Sequence, residues 1–310
     1  MEKSISSNPA VIIQGLRKTY ENKSVTAIKH LDLSVGDGEL LALIGPDGAG
    51  KTSLFRILAT LILPDEGMVR VLGHDVVREF EALRLITGYM PGRFALYQDL
   101  TVLENLSFFA TVFNTTIEEN YDLIKDIYGQ LEPFKHRRAS QLSGGMKQKL
   151  ALCCTLVHKP SILLLDEPTT GVDPVSRQEF WDILGKLKEE GMTMIVSTPY
   201  MDEARRCDRI AMMHHGELLD ISTPDDLISS FGKPLYAVQS DRMFALLQDL
   251  RKYDATDTCF AFGEAHHVTF KKPIEPADLN GYLQMQGHHH IDIQRIQPTV
   301  EDCFMDQLAS

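Results

Sequence analysis

Three short segments carry residue types whose spacing suits phosphate chemistry. The first is Gly45-Pro46-Asp47-Gly48-Ala49-Gly50-Lys51-Thr52-Ser53, which fits G-x-x-x-x-G-K-[ST] between a strand-like run and a helix-like one. Glycines let a backbone wrap a phosphate and point several N–H groups inward, and a helix N-terminus adds positive potential there. Lys51 is then placed to reach the β- and γ-phosphates of a nucleotide, and the Thr52 hydroxyl to ligate Mg2+. The second segment is Ile162-Leu-Leu-Leu-Asp166-Glu167-Pro168. An acid ending a buried strand can hold Mg2+, and a second acid beside it can orient or deprotonate a water. The third is Leu142-Ser143-Gly144-Gly145-Met-Lys-Gln-Lys149, a Ser-Gly-Gly turn opening a helix and so a second anion-binding N-terminus.

Each segment has a plainer reading. A random match to the first pattern in a chain this long has a chance of about one per cent, and the strand–loop–helix setting lowers it. Acids often end strands and cap helices, and a lone Ser N-cap is ordinary. It is the succession of the three that is specific.

The elements that must position them are legible as alternating strands and helices. Val11–Ile13, Val25–Leu31 and Leu40–Ile44 read as strands, Lys51–Thr60 as a helix and Met68–Leu72 as a strand. Thr101–Phe113 and Ile117–Tyr128 read as helices, the first with a capping box at Thr101 and Glu104. Met146–His158 and 174–190 read as helices, Ile162–Leu165 and Met192–Val196 as buried strands. This alternation implies an α/β fold with a parallel sheet covered on both faces. A hinge is expected at Gly232-Lys-Pro234. Beyond it the pattern is strand 235–239, helix 242–252, strands 256–262 and 266–271, helix 276–286, strand 290–296, helix 299–308, a small α+β appendage.

Composition bounds the function. The chain has 310 residues, 44% apolar and 24% charged, with 31 Lys+Arg against 43 Asp+Glu and a net charge of −12. That balance argues against a nucleic-acid partner. No apolar stretch approaches the roughly 20 residues needed to cross a bilayer, and Met1–Ala10 lacks a signal-peptide h-region. The five cysteines show no C-x-x-C and read as reduced thiols. Cys153-Cys154 reads as buried filling, Phe108-Phe109 as core or subunit interface. His214-His215 and the run His288–His290, with His266-His267, lack metal-site spacing and read as surface residues.

In this order the three segments resemble the nucleotide-binding subunits of ATP-binding cassette (ABC) transporters, over about residues 10–230. Tyr20 is similar to the family's adenine-stacking aromatic residue, Leu142–Gln148 to its signature sequence and Gly171-Val-Asp173-Pro174 to its D-loop. The details resemble the exporter branch with ABC-2 type membrane subunits, and the first half of tandem multidrug-export ATPases. The resemblance implies a P-loop NTPase cassette over 1–231, with a parallel core sheet, an antiparallel β-subdomain and a helical insert at about 93–160, followed by the extension 232–310. It implies ATP and Mg2+ as ligands: Tyr20 on adenine, residues 45–53 around phosphate, Thr52 and Asp166 on Mg2+, and Lys51 and Glu167 as catalytic groups. Ser143, Gly144, Gly145 and Asp173 would serve the site of a second cassette. It places the chain in the cytoplasm, peripheral to the inner face of the membrane through permease subunits.

Two positions depart from the family pattern. After Gly88-Tyr-Met-Pro91, where the family has Gln, stands Gly92; after Val196-Ser-Thr198, where it has His, stands Pro199. Both lost side chains act within their own subunit. Gln98, six residues on, is a poor substitute for the missing Gln. The expected function is therefore an ATP-hydrolysing motor subunit of an exporter, as the degenerate half of an asymmetric dimer, with a homodimer as the competing arrangement. The alternatives are a nucleotide-binding regulator with little turnover and a soluble ABC ATPase acting on ribosome or DNA.

Overall fold

The computed structural model describes residues 9–20, 24–92 and 96–309. Residues 1–8, on which the reading of the N-terminus largely rests, and 93–95, with which the expected helical insert opens, lie outside the described residues. The chain divides into two compact units, 1–222 and 223–310.

In the first unit the order is β1 (Val11–Tyr20), β2 (Val25–Val35), β3 (Leu40–Ile44), α1 (Lys51–Leu58), β4 (Glu66–Val71), β5 (His74–Asp75), α2 (Phe80–Ile86) and β6 (Thr87–Met90). It continues with α3 (Val102–Val112), α4 (Tyr121–Leu131), α5 (Gly144–Leu156), β7 (Ile162–Asp166), α6 (Pro174–Glu189), β8 (Thr193–Thr198), α7 (Met201–Ala204), β9 (Arg209–His214) and β10 (Glu217–Ser222). One sheet has the order β10-β9-β3-β8-β7-β6 and is parallel except for the β9–β10 hairpin. Its strands β3, β7 and β8 are buried along their whole length, which is why they read as unbroken apolar runs. A second, antiparallel sheet has the order β2-β1-β4-β5. Its inward residues Ile28, Leu31, Leu33 and Val35 share one core with Leu41 and Leu43 of β3, Leu54 and Phe55 of α1, and Ile162 and Ile195. The predicted capping box forms: the Thr101 hydroxyl accepts from Glu104 N–H and the Glu104 carboxylate from Thr101 N–H.

The elements missing from the sequence reading, α2, β5, β6, β9, β10 and α7, are short or amphipathic only in part. β6, Thr87-Gly-Tyr-Met90, has no apolar run of its own and is a strand because it pairs with β7.

The second unit opens with α8 (Pro224–Ser230) and continues β11 (Leu235–Gln239), α9 (Met243–Lys252), β12 (Thr256–Phe262), β13 (Ala265–Phe270), α10 (Pro276–Met285), β14 (Asp292–Ile296) and α11 (Val300–Ala309). Its sheet, order β12-β13-β11-β14, is antiparallel throughout, a split βαββαβ arrangement. Val238, Leu246, Leu250, Val268, Leu279 and Leu283 form its core. Helix α8 precedes the expected hinge yet belongs to this unit: Cys303 Sγ of α11 donates to Leu227 O at 3.5 Å. The division therefore falls after Ser222, ahead of Gly232-Lys-Pro234.

The histidine reading needs correction here. His288 is fully buried, its Nδ1 3.1 Å from Ser240 Oγ and its Nε2 3.0 Å from Asp249 Oδ2. His266 is buried against Met243 O, and His267 Nδ1 lies 2.6 Å from Asp302 Oδ1. Only His289 and His290 of that group are exposed. Among the described residues no cluster of three or more His, Cys, Asp or Glu suits a metal ion. Cys153 and Cys154 are buried as expected, and all five cysteines are free.

Candidate nucleotide site

The parallel sheet brings the chemistry to the C-terminal ends of its strands. From β3 the chain enters the loop Gly45–Gly50 and then α1. Gly45 (φ 155°) and Gly50 (φ 109°) have no room for a side chain: a Cβ on Gly45 would stand 2.1 Å from Met213 O, and one on Gly50 2.3 Å from Ala27 O. The loop is thus held against β9 and β2, and Gly216 N–H donates to Ala49 O at 3.0 Å. Lys51 is almost fully buried, and its ammonium donates to Gly45 O (2.8 Å) and Pro46 O (3.2 Å). Thr52 is exposed at the first turn of α1. Tyr20, ending β1, donates its phenol O–H to Ser53 Oγ at 3.1 Å, which ties the expected adenine platform to the phosphate loop's helix.

Asp166 ends β7, buried, and Glu167 follows with φ 50°, a left-handed conformation unusual for a residue with a side chain. Glu167 Oε1 lies 3.5 Å from Lys51 Nζ, so the sequence-expected lysine and acid meet in one site. The hydroxyl of Ser197 on β8 donates to Asp166 Oδ1 at 2.8 Å and accepts Glu167 N–H at 2.9 Å. Ser197 was not among the residues expected from sequence; a hydroxyl inside a buried strand, one position before Thr198, was the signal. Tyr89 of β6 has its phenol pushed up to about 12, first by burial and then by the Asp166 carboxylate.

One of the two departures lies beside these acids. Gly92 packs on Asp166: a Cβ there would stand 3.1 Å from Asp166 O and 3.9 Å from Glu167 Cβ. Pro199 follows β8 and is exposed, with no N–H and no polar side chain to offer. Behind it the Glu203 carboxylate, buried, accepts from Thr198 Oγ1 and, at 2.9 Å, from Thr169 Oγ1. Gln98, the alternative to the missing Gln, is exposed, and its carbonyl accepts Ser140 N–H at 3.0 Å.

The signature residues gather elsewhere in the unit, at the start of α5. Ser143 is its N-cap, accepting Met146 N–H at 3.3 Å. Gly144 lies against the D-loop, where a Cβ would stand 3.7 Å from Val172 Cγ2, and Gly145 against the first turn of α6, where one would stand 2.4 Å from Ser176 Oγ. Asp173 caps α6 through Ser176 N–H at 3.0 Å, and that N–H holds its carboxyl below the usual range. Ser143, Gly144, Gly145 and Asp173 therefore form a patch of their own rather than joining Lys51 and Glu167.

The donor set fits a nucleotide with a hard cation. A glycine cradle that side chains would fill, one buried lysine, one hydroxyl (Thr52) and one carboxylate (Asp166) are the groups that triphosphate and Mg2+ require.

A parallel-sheet P-loop fold with this loop, these acids and a separate Ser-Gly-Gly helix start defines an ATP-binding cassette. Residues 28–170 match the family described as "ABC transporter". Over 307 residues the chain is 40% identical to the "Probable multidrug ABC transporter ATP-binding protein YbhF" of Escherichia coli K12, covering 97% of this chain and 53% of that protein. It thus spans about half the length of that relative. It is 32% identical over 303 residues to the "Nod factor export ATP-binding protein I" of Rhizobium sp. strain N33, covering 96% of this chain and 97% of that protein. The solved dimeric post-hydrolysis structure of the ATP-binding cassette MJ0796 bound to ADP and Pi superposes with a TM-score of 0.62 at 28% identity, covering 69% of this chain and 98% of that one. The chain belongs to the ABC transporter family, among its ATP-binding subunits.

Proposed function

We propose that this chain binds and hydrolyses ATP as the motor subunit of a membrane exporter, working in a pair of cassettes in which its own site is the weaker. The observation that carries the reading is the meeting of Lys51 and Glu167, next to Asp166, at the C-terminal ends of the strands, while Gly92 and Pro199 stand just beyond β6 and β8. Tyr20 stacks on adenine, N–H groups of residues 45–53 hold the phosphates and Lys51 leaves its carbonyl partners for them. Bound Mg2+ would neutralise charge developing on the β- and γ-phosphates. Thr52 and Asp166 hold it, Glu167 accepts the proton of the attacking water, and neither Gly92 nor Pro199 can orient that water or touch the γ-phosphate. The patch of Ser143, Gly144, Gly145 and Asp173 completes the site of the second cassette. The asymmetry favours a heterodimer, since two side chains that act within the subunit are lost, at Gly92 and Pro199, while those that act on the partner are kept. ATP binding that is unchanged by Lys51→Ala would overturn the site assignment.

The proposed coupling to transport is supported by an apolar groove of about 420 Å3 on the first unit. Leu61, Leu85, Met90, Phe109, Val112 and Ala151 are among its lining residues, and it reaches Pro91, next to Gly92. Leu61, Leu85 and Val112 are exposed there. No helix among the described residues is long and apolar enough to cross a membrane. The groove suits an amphipathic helix on a cytoplasmic loop of an ABC-2 type permease, which would hold this subunit at the inner membrane face. Val112→Asp with Leu85→Asp is expected to abolish co-purification with the permease and leave ATP affinity unchanged; retained co-purification would contradict this docking.

A further inference from the structure

We infer that Ser197 is the positioning residue that sets both acids of the nucleotide site, and that its hydroxyl, acting through Asp166, governs the affinity for the divalent cation. The inference rests on the nucleotide and Mg2+ reading above. Parallel pairing of β7 and β8 puts Asp166 directly beside Ser197. Ser197 is fully buried, in a strand whose neighbours Met194, Ile195 and Val196 are apolar. A hydroxyl there costs free energy unless both its capacities are used, and both are. It donates to Asp166 Oδ1 at 2.8 Å, which commits that oxygen and leaves Oδ2, with no hydrogen bond from the described residues, for a cation or its water. It also accepts Glu167 N–H at 2.9 Å, a donor that Ser197 O takes at 3.1 Å as well. Glu167 is the residue held at φ 50°, so Ser197 secures the backbone turn that brings its carboxylate to 3.5 Å from Lys51. One side chain thereby fixes the rotamer of the cation-holding acid and the backbone of the acid that takes the proton. Removing the hydroxyl leaves the Glu167 N–H with the Ser197 carbonyl but frees the Asp166 carboxylate to turn.

The test uses the full chain and two readouts. ATP affinity is measured by calorimetry in EDTA, and cation affinity of the ATP-loaded protein by Mn2+ titration, with the electron paramagnetic resonance signal reporting bound Mn2+. Ser197→Ala is expected to weaken Mn2+ by about ten-fold, the loss of one hydrogen bond to a charged group, while ATP affinity in EDTA stays within two-fold of wild type. Ser197→Cys, similar in size but a weak donor, is expected to fall between the two. Mn2+ affinity within two-fold of wild type in Ser197→Ala would overturn the inference. Equal loss of ATP affinity in EDTA would also overturn it, since the hydroxyl would then serve the fold of the whole site. A wild-type chain that binds ATP neither in EDTA nor with Mn2+ would instead remove the nucleotide reading, and this inference with it.

Discussion

Lys51 carries the plainest consequence of the site. Its ammonium is buried, held by two loop carbonyls and close to Glu167, so it is a charge waiting for a stronger anion. Lys51→Ala removes a charge-assisted contact of about 1.5–3 kcal/mol, and ATP affinity measured by calorimetry should fall ten-fold or more. Gly45→Ala should do the same by another route, because its Cβ would meet Met213 O and the loop would have to move. The residues of the phosphate loop, Asp166, Glu167 and the signature turn were legible in sequence because each motif is contiguous. Ser197 was not, since its role depends on the register of β7 against β8. His288 was misread for the same reason: its partners, Ser240 and Asp249, lie far off in sequence and no local pattern announces its burial. Gly92 and Pro199 were legible as departures, but the close packing of Gly92 on Asp166 O was not. That contact limits repair: Gly92→Gln needs the neighbouring backbone to yield by a few tenths of an ångström, so a Gly92→Gln, Pro199→His double variant should raise turnover only in part.

Among the elements, β1 shows how the sheet holds Tyr20, the proposed adenine platform. Asp65, in the turn before β4, accepts from Thr19 N–H and Thr19 Oγ1 and from Lys18 Nζ, pinning the strand end that carries Tyr20. Those bonds, led by Lys18, lower its carboxyl from the ordinary 3.8 to about 2. A depressed carboxyl stabilises the fold above its unfolded value, and the contribution is lost as pH falls through the folded one. Asp65→Asn should therefore melt lower than wild type at pH 7, by on the order of 1 kcal/mol after allowance for solvent screening, and the difference should close between about pH 4 and pH 2. A difference that persists unchanged at pH 2 would contradict this account. The long buried strands and capped helices were readable from pattern alone; β6 was not, because its strand character comes from its pairing with β7 rather than from its own sequence.

For the molecule as two units, the first holds every residue assigned to the nucleotide, and the second has its own sheet and core. A chain ending at Ser222 should fold and bind ATP within two-fold of the full chain, checked by circular dichroism and calorimetry; a folded but non-binding fragment would mean that the second unit supplies part of the site. The central claim is that this cassette binds ATP with an impaired site of its own and a sound signature for its partner. In the assembled pair, Glu167→Gln should then cost little, while Ser143→Ala should cripple hydrolysis. The most direct measurement is steady-state ATPase of the isolated chain with Glu167→Gln as control. The account predicts ATP binding with slow turnover; robust turnover abolished by Glu167→Gln would contradict it and leave a homodimeric motor with a competent site.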